Sequence, residues 1–384
     1  MSGKRSPFWE AASWTVLGLL LVATLVATLR FDRAGRPSLV GDEATYAMQA
    51  ASLAEDGDLA YTRADYDRFR RQWGGQPDGL VLQSRDGGRH LTYGKPFLYA
   101  LVAAPFVRLS PLNGARVANA LLLAAAALAA AHTLRRRLGA AAPLWVAAFV
   151  FASVAFAYVF WVHADLFLFA ATALGFAIVY GAGGGERESA AAPPPEIYGE
   201  EPASRSWRPF GRFFAAGLLI AIPGAFRPFY LALLLPAALA VPRERRRERV
   251  AGLAGLAAGA AFLLLLTALV QWHAGGSWTG YGGERQGFYP RTGYPEVDFP
   301  ASQWERSLQR WGNTSWIQEG AIDVRLDRRL LGWDALYFLA GRNVGVLPYF
   351  LPLLLGFAAW RGERGRWAIP LAVFLAAAGF LLVR

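Results

Sequence analysis

Long apolar runs with few charges recur along this chain, separated by polar stretches, and their lengths set the first reading. Ala11–Leu29, Ala115–Leu134, Ala142–Trp161, Ala164–Gly181, Gly211–Phe226, Pro228–Val241, Val250–Trp272, Arg342–Trp360 and Trp367–Val383 each reach or approach spanning length. A helix needs about 20 apolar residues to cross the hydrocarbon core. The pattern predicts an all-α polytopic membrane protein of about nine transmembrane helices, forming one membrane domain over residues 1–384. The fifth and sixth runs are short, about 24 Å or less at helical rise, and read either as two crossings or as one broken hairpin. The first run is too long for a signal peptide and lacks a small-x-small cleavage site, so it is expected to stay as a helix.

Two stretches between the runs are too long for plain connections: 30–114 and 273–341. Long ordered loops usually carry function. In the first, Ala44, Ala47, Met48, Ala51 and Ala54 recur with helical spacing. That predicts a helix opened by Asp42 or Glu43 and closed near Gly57. Pro96–Val107 predicts a second apolar helix, with Pro96 in its first turn, too short to span and suited to the interface. The stretch 182–210, with its alanine and proline runs, reads as a flexible linker.

Charge orients these elements. The formal net charge is +11. Much of it sits in short arginine clusters: Arg135–Arg137, Arg243–Arg249 and Arg361–Arg366. Basic loops stay cytoplasmic. With Lys4 and Arg5 inside, every even-numbered span leads into one of these clusters or the linker, so both long loops face outward. Arg30, Arg33 and Arg36 oppose the rule locally. Since orientation accounts for the charge, no nucleic-acid partner is expected. The composition, 55% hydrophobic, agrees with a membrane protein, and Trp9, Trp272, Trp278, Trp360 and Trp367 near run ends suit the interfacial belt.

Cysteine is absent, which excludes disulfides and thiolate chemistry. The four histidines, His90, His132, His163 and His273, have no metal-pair spacing. No metal ligand set and no cofactor are therefore indicated.

The candidate chemistry lies in the outer loops. Asp42-Glu43 stands a dozen residues past the first span. Asp42 reads as a general base at the membrane surface, or as a helix cap. Lys95 is one of only two lysines in a chain that otherwise uses arginine. A compact point charge suits a phosphate oxygen, and the plain alternative is an interfacial lysine. Arg116, at the outer start of the second span, either meets a phosphate or snorkels. Arg227, between two short runs, is at a depth where arginine is expensive and often functional. His163 and Asp165 sit at an outer helix turn, where Asp165 is a cap or a ligand. Tyr46 and Tyr93 flank the two motifs, and Tyr281-Gly282-Gly283-Glu284-Arg285 is a turn or a substrate-binding segment, offering Glu284 and Arg285.

At these residues the chain resembles the GT-C superfamily of polytopic glycosyltransferases, in the branch holding protein O-mannosyltransferases and the lipid A aminoarabinose transferase. The likeness covers roughly residues 1–180: one span, Asp42-Glu43 with Tyr46, then Lys95-Pro96, then Arg116 at the next span. Phe97 stands where the family has a second proline, and Gly94 where the aminoarabinose transferase has a carboxylate. The resemblance implies a bacterial-type inner-membrane enzyme with its active site on the outer side. Its donor would be a polyprenyl-phosphate-linked sugar, and its acceptor a hydroxyl on an unidentified glycan, lipid or protein. Asp42 would be the base beside Glu43, Lys95, Arg116 and Arg227 would hold the donor phosphate, and transfer would invert the anomeric centre. The rival expectation is a transporter or lipid-linked-sugar flippase, for which the proline-containing pair around Pro223–Pro228 is the best feature. A third is a non-enzymatic membrane assembly factor.

Overall fold

The computed structural model describes residues 7–31, 41–84, 86–181, 208–242, 246–278 and 284–303, with a few isolated positions besides. Among them the chain is mostly helical. In chain order the helices are α1 (Pro7–Leu29), α2 (Asp42–Glu55), α3 (Arg63–Trp73), α4 (Leu98–Leu109), α5 (Gly114–Leu138), α6 (Ala142–Phe151), α7 (Val154–Ala157), α8 (Asp165–Gly181), α9 (Arg208–Phe226), α10 (Leu234–Leu239) and α11 (Arg246–Gly275). Four stretches are long and apolar enough to cross a membrane: Phe8–Leu29, Gly114–Phe151, Pro209–Phe226 and Arg246–Gly275. Leu19, Val22, Phe262 and Leu265 stand exposed on α1 and α11, as lipid-facing side chains do.

The described residues differ from the expected nine spans. Arg342–Trp360 and Trp367–Val383 lie outside them, as do nearly all of the 182–210 linker and most of the second long loop. Ala142–Trp161 is not one helix. Helix α6 stops at Phe151, and Ser153 starts α7 afresh by accepting the Ala155 N–H at 3.3 Å. A 3-10 turn, Tyr158–Phe160, completes the return. A hydroxyl that competes for backbone groups breaks a helix that apolar composition alone would continue. Ala164–Gly181 forms the 17-residue α8. Pro228–Val241 forms a 3-10 segment, Pro228–Leu233, followed by the six-residue α10. Pro228 and Pro236 lack the N–H that a continuous helix would use. The lysine-motif helix opens at Leu98, leaving Pro96 ahead of it rather than in its first turn.

One small sheet accompanies the helices. Strands β1 (Leu80–Ser84), β2 (Leu91–Tyr93) and β3 (Glu284–Phe288) form an antiparallel sheet in the order β2-β1-β3. Gln83 faces Thr92 on one side and Arg285 on the other. Strands about 200 residues apart in sequence, one from each long loop, therefore share one sheet. Tyr61 donates to the Pro295 carbonyl at 3.3 Å and Tyr294 donates to that of Pro77, binding the same two loops together. Leu80, Leu82, Tyr66, Tyr294 and Phe288 are buried between them.

Among the described helices, α9 and α11 pack most closely. A Cβ added to Gly259 would lie 2.1 Å from the Phe214 carbonyl oxygen, and one on Gly255 would lie 2.3 Å from that of Phe210. Small residues four apart allow such backbone approach between helices in lipid.

The polar groups of the bundle collect at its two ends. At one, Glu10 pairs with Arg135, Arg136 donates to the Gly181 carbonyl at 3.1 Å, and Arg212 donates to that of Ile178 at 2.7 Å. At the other, Gln83 of β1 donates to the Gly275 carbonyl at 3.1 Å, closing the sheet onto the end of α11. The start of α2, the Gly94–Lys95 link and the turn before α8 meet at this second end.

Candidate active site

Helix α2 begins abruptly at Asp42 because Gly41 takes φ 59°, ψ −133°, a conformation reserved for glycine. The first turn of α2 is thereby aimed at two other segments. Thr45 anchors it to the sheet by accepting the Val81 N–H at 2.9 Å. Gln49, two turns along, donates to the Lys95 carbonyl at 3.0 Å and fixes the link between β2 and α4.

These anchors bring Lys95 Nζ to 2.6 Å from Asp42 Oδ2. His163 Nε2 lies 3.5 Å from the same oxygen, and His163 Nδ1 lies 3.1 Å from Asp165 Oδ2. The result is a chain Lys95–Asp42–His163–Asp165 drawn from three segments. Its exposure is graded: the Lys95 side chain is 10% exposed and that of His163 15%, against 36% for Asp42 and 43% for Asp165. The carboxylates face outward and the cations lie beneath them.

The charges hold one another. Burial alone would raise the Asp42 carboxyl, yet His163 and Lys95 keep it well below the usual carboxylate range. Burial depresses His163, but Asp165 and Asp42 overcome it and push the imidazole up to about 9. Lys95 is pulled below the usual lysine value, chiefly by burial, with Arg285 and Arg227 adding like charge and Asp42 opposing. At neutral pH the site holds an ionised Asp42 clamped by two cations.

Glu43 has a different task from its neighbour. It is buried, and its Oε1 accepts the Val162 N–H at 3.1 Å. That bond docks the His163 turn on α2. Tyr46, one turn further, is also buried and packs edge-on against His163 and against Tyr99, each at 5.4 Å. The Trp161 ring stacks on the imidazole at 5.1 Å.

Of the remaining candidates, Arg116 is fully buried at the start of α5. Its guanidinium donates to the carbonyls of Phe160 at 2.9 Å and Leu112 at 2.7 Å, and lies under Phe31 at 4.8 Å. It lines a separate cavity of about 270 Å³ with Arg30, Phe31 and Trp73. Tyr93 is buried and packs edge-on against Tyr61, 6.2 Å between rings. Arg227 is exposed at the start of the Pro228–Leu233 segment, and Arg285 is buried beside Gly94. A Cβ on Gly94 would lie 3.1 Å from Arg285 Nε. It would also lie 3.0 Å from Val81 Cγ1, so a larger residue here requires both neighbours to shift. Glu284 opens β3 opposite Ser84. Tyr281, Gly282 and Gly283 lie outside the described residues.

Sequence reading missed three supports: Gln49, Trp161 and Asn119. The Asn119 amide donates to the Trp161 carbonyl at 2.9 Å and to that of Val159 at 3.3 Å. Its spacing from Arg116, one turn along an otherwise apolar helix, was the available signal, since polar groups at such depth need partners. No group of His, Asp and Glu suited to hold a metal occurs among the described residues.

Comparison with family models, curated proteins and solved structures finds no match for this chain. The functional reading therefore rests on the geometry of the site and on chemical precedent.

Proposed function

We propose that this protein is a membrane glycosyltransferase of GT-C type, moving a sugar from a polyprenyl-phosphate donor to an acceptor hydroxyl at the outer membrane surface. The observation that carries this reading is the contact of Asp42 with Lys95 and His163 at one end of an apolar bundle. A carboxylate base beside a buried lysine is what displacement at a phosphate-linked sugar requires. Asp42 takes the proton of the acceptor hydroxyl, whose oxygen attacks the anomeric carbon. The bond from that carbon to the phosphate oxygen breaks, and the polyprenyl phosphate leaves with the electron pair. Lys95, with Arg285 and Arg227 nearby, stabilises the charge growing on the phosphate. The donor's lipid lies along the bundle, and the anomeric centre inverts in one displacement.

On this reading the site end of the bundle faces outward and the Glu10–Arg135 end is cytoplasmic, as the arginine clusters require. The cluster lies at the helix ends and not at mid-depth, where transporter sites gather. Arg116 is assigned a supporting part, since its Nε and Nη1 donate to backbone carbonyls.

The test is Asp42→Asn in membranes supplied with polyprenyl-phosphate sugars. Asparagine matches the size of aspartate in the first turn of α2 but accepts no proton. Transfer is expected to fall by roughly 10²–10⁴-fold with expression unchanged. Near-normal transfer in the variant overturns the assignment.

A further inference from the structure

The arrangement of Lys95 poses a problem for the chemistry just described. The same ammonium is asked to hold a departing phosphate and is already bound to the base at 2.6 Å. A carboxylate clamped by Lys95 and His163 on one oxygen is a poor proton acceptor, because taking a proton means giving up both contacts.

We propose that Lys95 is an exchangeable partner: an anionic phosphate oxygen displaces Asp42 from it, so that binding the phosphate is what frees Asp42 to act as a base. This rests on the phosphate-linked donor proposed above and adds an order of events to it. Three features support the exchange. Lys95 is the buried member of the pair and Asp42 the open one, so the carboxylate has room to move while the ammonium stays. The Lys95 main chain is pinned by Gln49, so the cation is held in place when its partner changes. Arg285 and Arg227 already press like charge on Lys95, and a phosphate, unlike a single carboxylate, offers several oxygens to this group of cations. His163, backed by Asp165 and gripped by Tyr46 and Trp161, stays behind and keeps Asp42 oriented after Lys95 has turned to the phosphate.

The exchange also explains why a base would be kept masked. An active-site carboxylate that is competent before the donor arrives would be open to protons and cations from the outer surface. One unmasked by the donor's own phosphate becomes basic only when there is something to attack.

Equilibrium binding tests this without any sugar transfer. The full chain in detergent is titrated with farnesyl phosphate and, in parallel, with inorganic phosphate. Wild type, Asp42→Asn, Lys95→Met and the double variant are compared, each checked for a monodisperse size-exclusion profile. Asp42→Ser stands in if the asparagine variant fails that check, and Lys95→Gln if the methionine variant does. If the two anions compete for Lys95, Asp42→Asn binds farnesyl phosphate about tenfold more tightly than wild type, because no resting pair has to be broken. Lys95→Met binds it about tenfold more weakly, and in that background Asp42→Asn gives no gain. The same pattern with inorganic phosphate identifies phosphate itself as the ligand; the pattern with farnesyl phosphate alone identifies a lipid-linked one. Equal affinity of Asp42→Asn and wild type overturns the proposal. So does an equal gain in both backgrounds, which would reduce Asp42 to general repulsion. Absence of sugar transfer by the wild type, with this binding pattern intact, sinks the enzyme assignment and leaves the exchange standing.

Discussion

At the scale of single residues, His163 is the group whose protonation the site most depends on. It is held protonated by Asp165 and Asp42 against the burial that opposes it. Its value rises from 6.5 in the unfolded chain to about 9 in the folded one. A raised value means that the folded state binds the proton more tightly. The resulting stability is complete below about pH 6.5 and drains away as the pH climbs through about 9. Thermal unfolding in detergent is therefore expected to show wild type more stable than His163→Gln at pH 6, with the gap closing between pH 7 and 9.5. A gap that does not change over that range would mean that the imidazole is neutral and the ion pairs are absent. Asp42 and Glu43 teach a second residue-scale lesson. They are adjacent in sequence, yet one is open to ligand and the other is a buried strut holding the Val162 N–H. Adjacent helical residues point about 100° apart, so a shared motif need not mean a shared role.

Among the elements, the α9–α11 seam decides whether the bundle closes. The obstacle at Gly259 is the Phe214 carbonyl, part of a backbone that cannot rotate aside as a side chain does. Gly259→Ala is expected to destabilise the protein by about 1–3 kcal/mol, the usual range for overpacking. Gly18→Ala in α1 meets nothing within 4 Å and serves as the control. Matched melting curves that fall for the first and hold for the second support the seam, whereas equal melting of both would remove it. The broken return through α6, α7 and the Tyr158–Phe160 turn is an element-scale feature with a consequence for the site. Its carbonyls are held by Arg116 and Asn119, and it ends at Trp161 and His163. Carbonyls at the end of a helix have no intrahelical donors, and here Arg116 and Asn119 supply them.

For the molecule as a whole, the segregation of polar groups to two ends yields a topology experiment. The chain has no cysteine, so single cysteines report cleanly. Arg89 and Ser302 are exposed at the site end, and Arg137 is exposed at the other. With an impermeant thiol reagent on intact cells, Arg89→Cys and Ser302→Cys are expected to be labelled, and Arg137→Cys only after the membrane is opened. Labelling of Arg137→Cys in intact cells inverts the orientation. Ser84, though in the same loop, would be a poor reporter, because it is buried in β1.

The apolar runs determined by themselves that the chain is a largely helical bundle with several stretches able to cross a membrane, because burying or lipid-facing apolar length is a local property of composition. Local patterns also determined the helix that starts at Asp42, since Gly41, the acidic pair and the alanine spacing act within a few residues. The break in Ala142–Trp161 is local as well, since Ser153 accepts the N–H two residues on, although the apolar run masks it. The tertiary structure alone decided the sheet joining the two long loops. Strand pairing between residues 80–84 and 284–288 depends on closing a loop of about two hundred residues, which no local pattern encodes. It decided the site in the same way. Asp42, Lys95 and His163 were each noticeable as residues, but that two of them meet one carboxylate oxygen follows from Thr45, Gln49 and Glu43 docking three segments on one another. Electrostatic partnership is a matter of ångströms, and separations of 53 and 121 residues in sequence fix none of them.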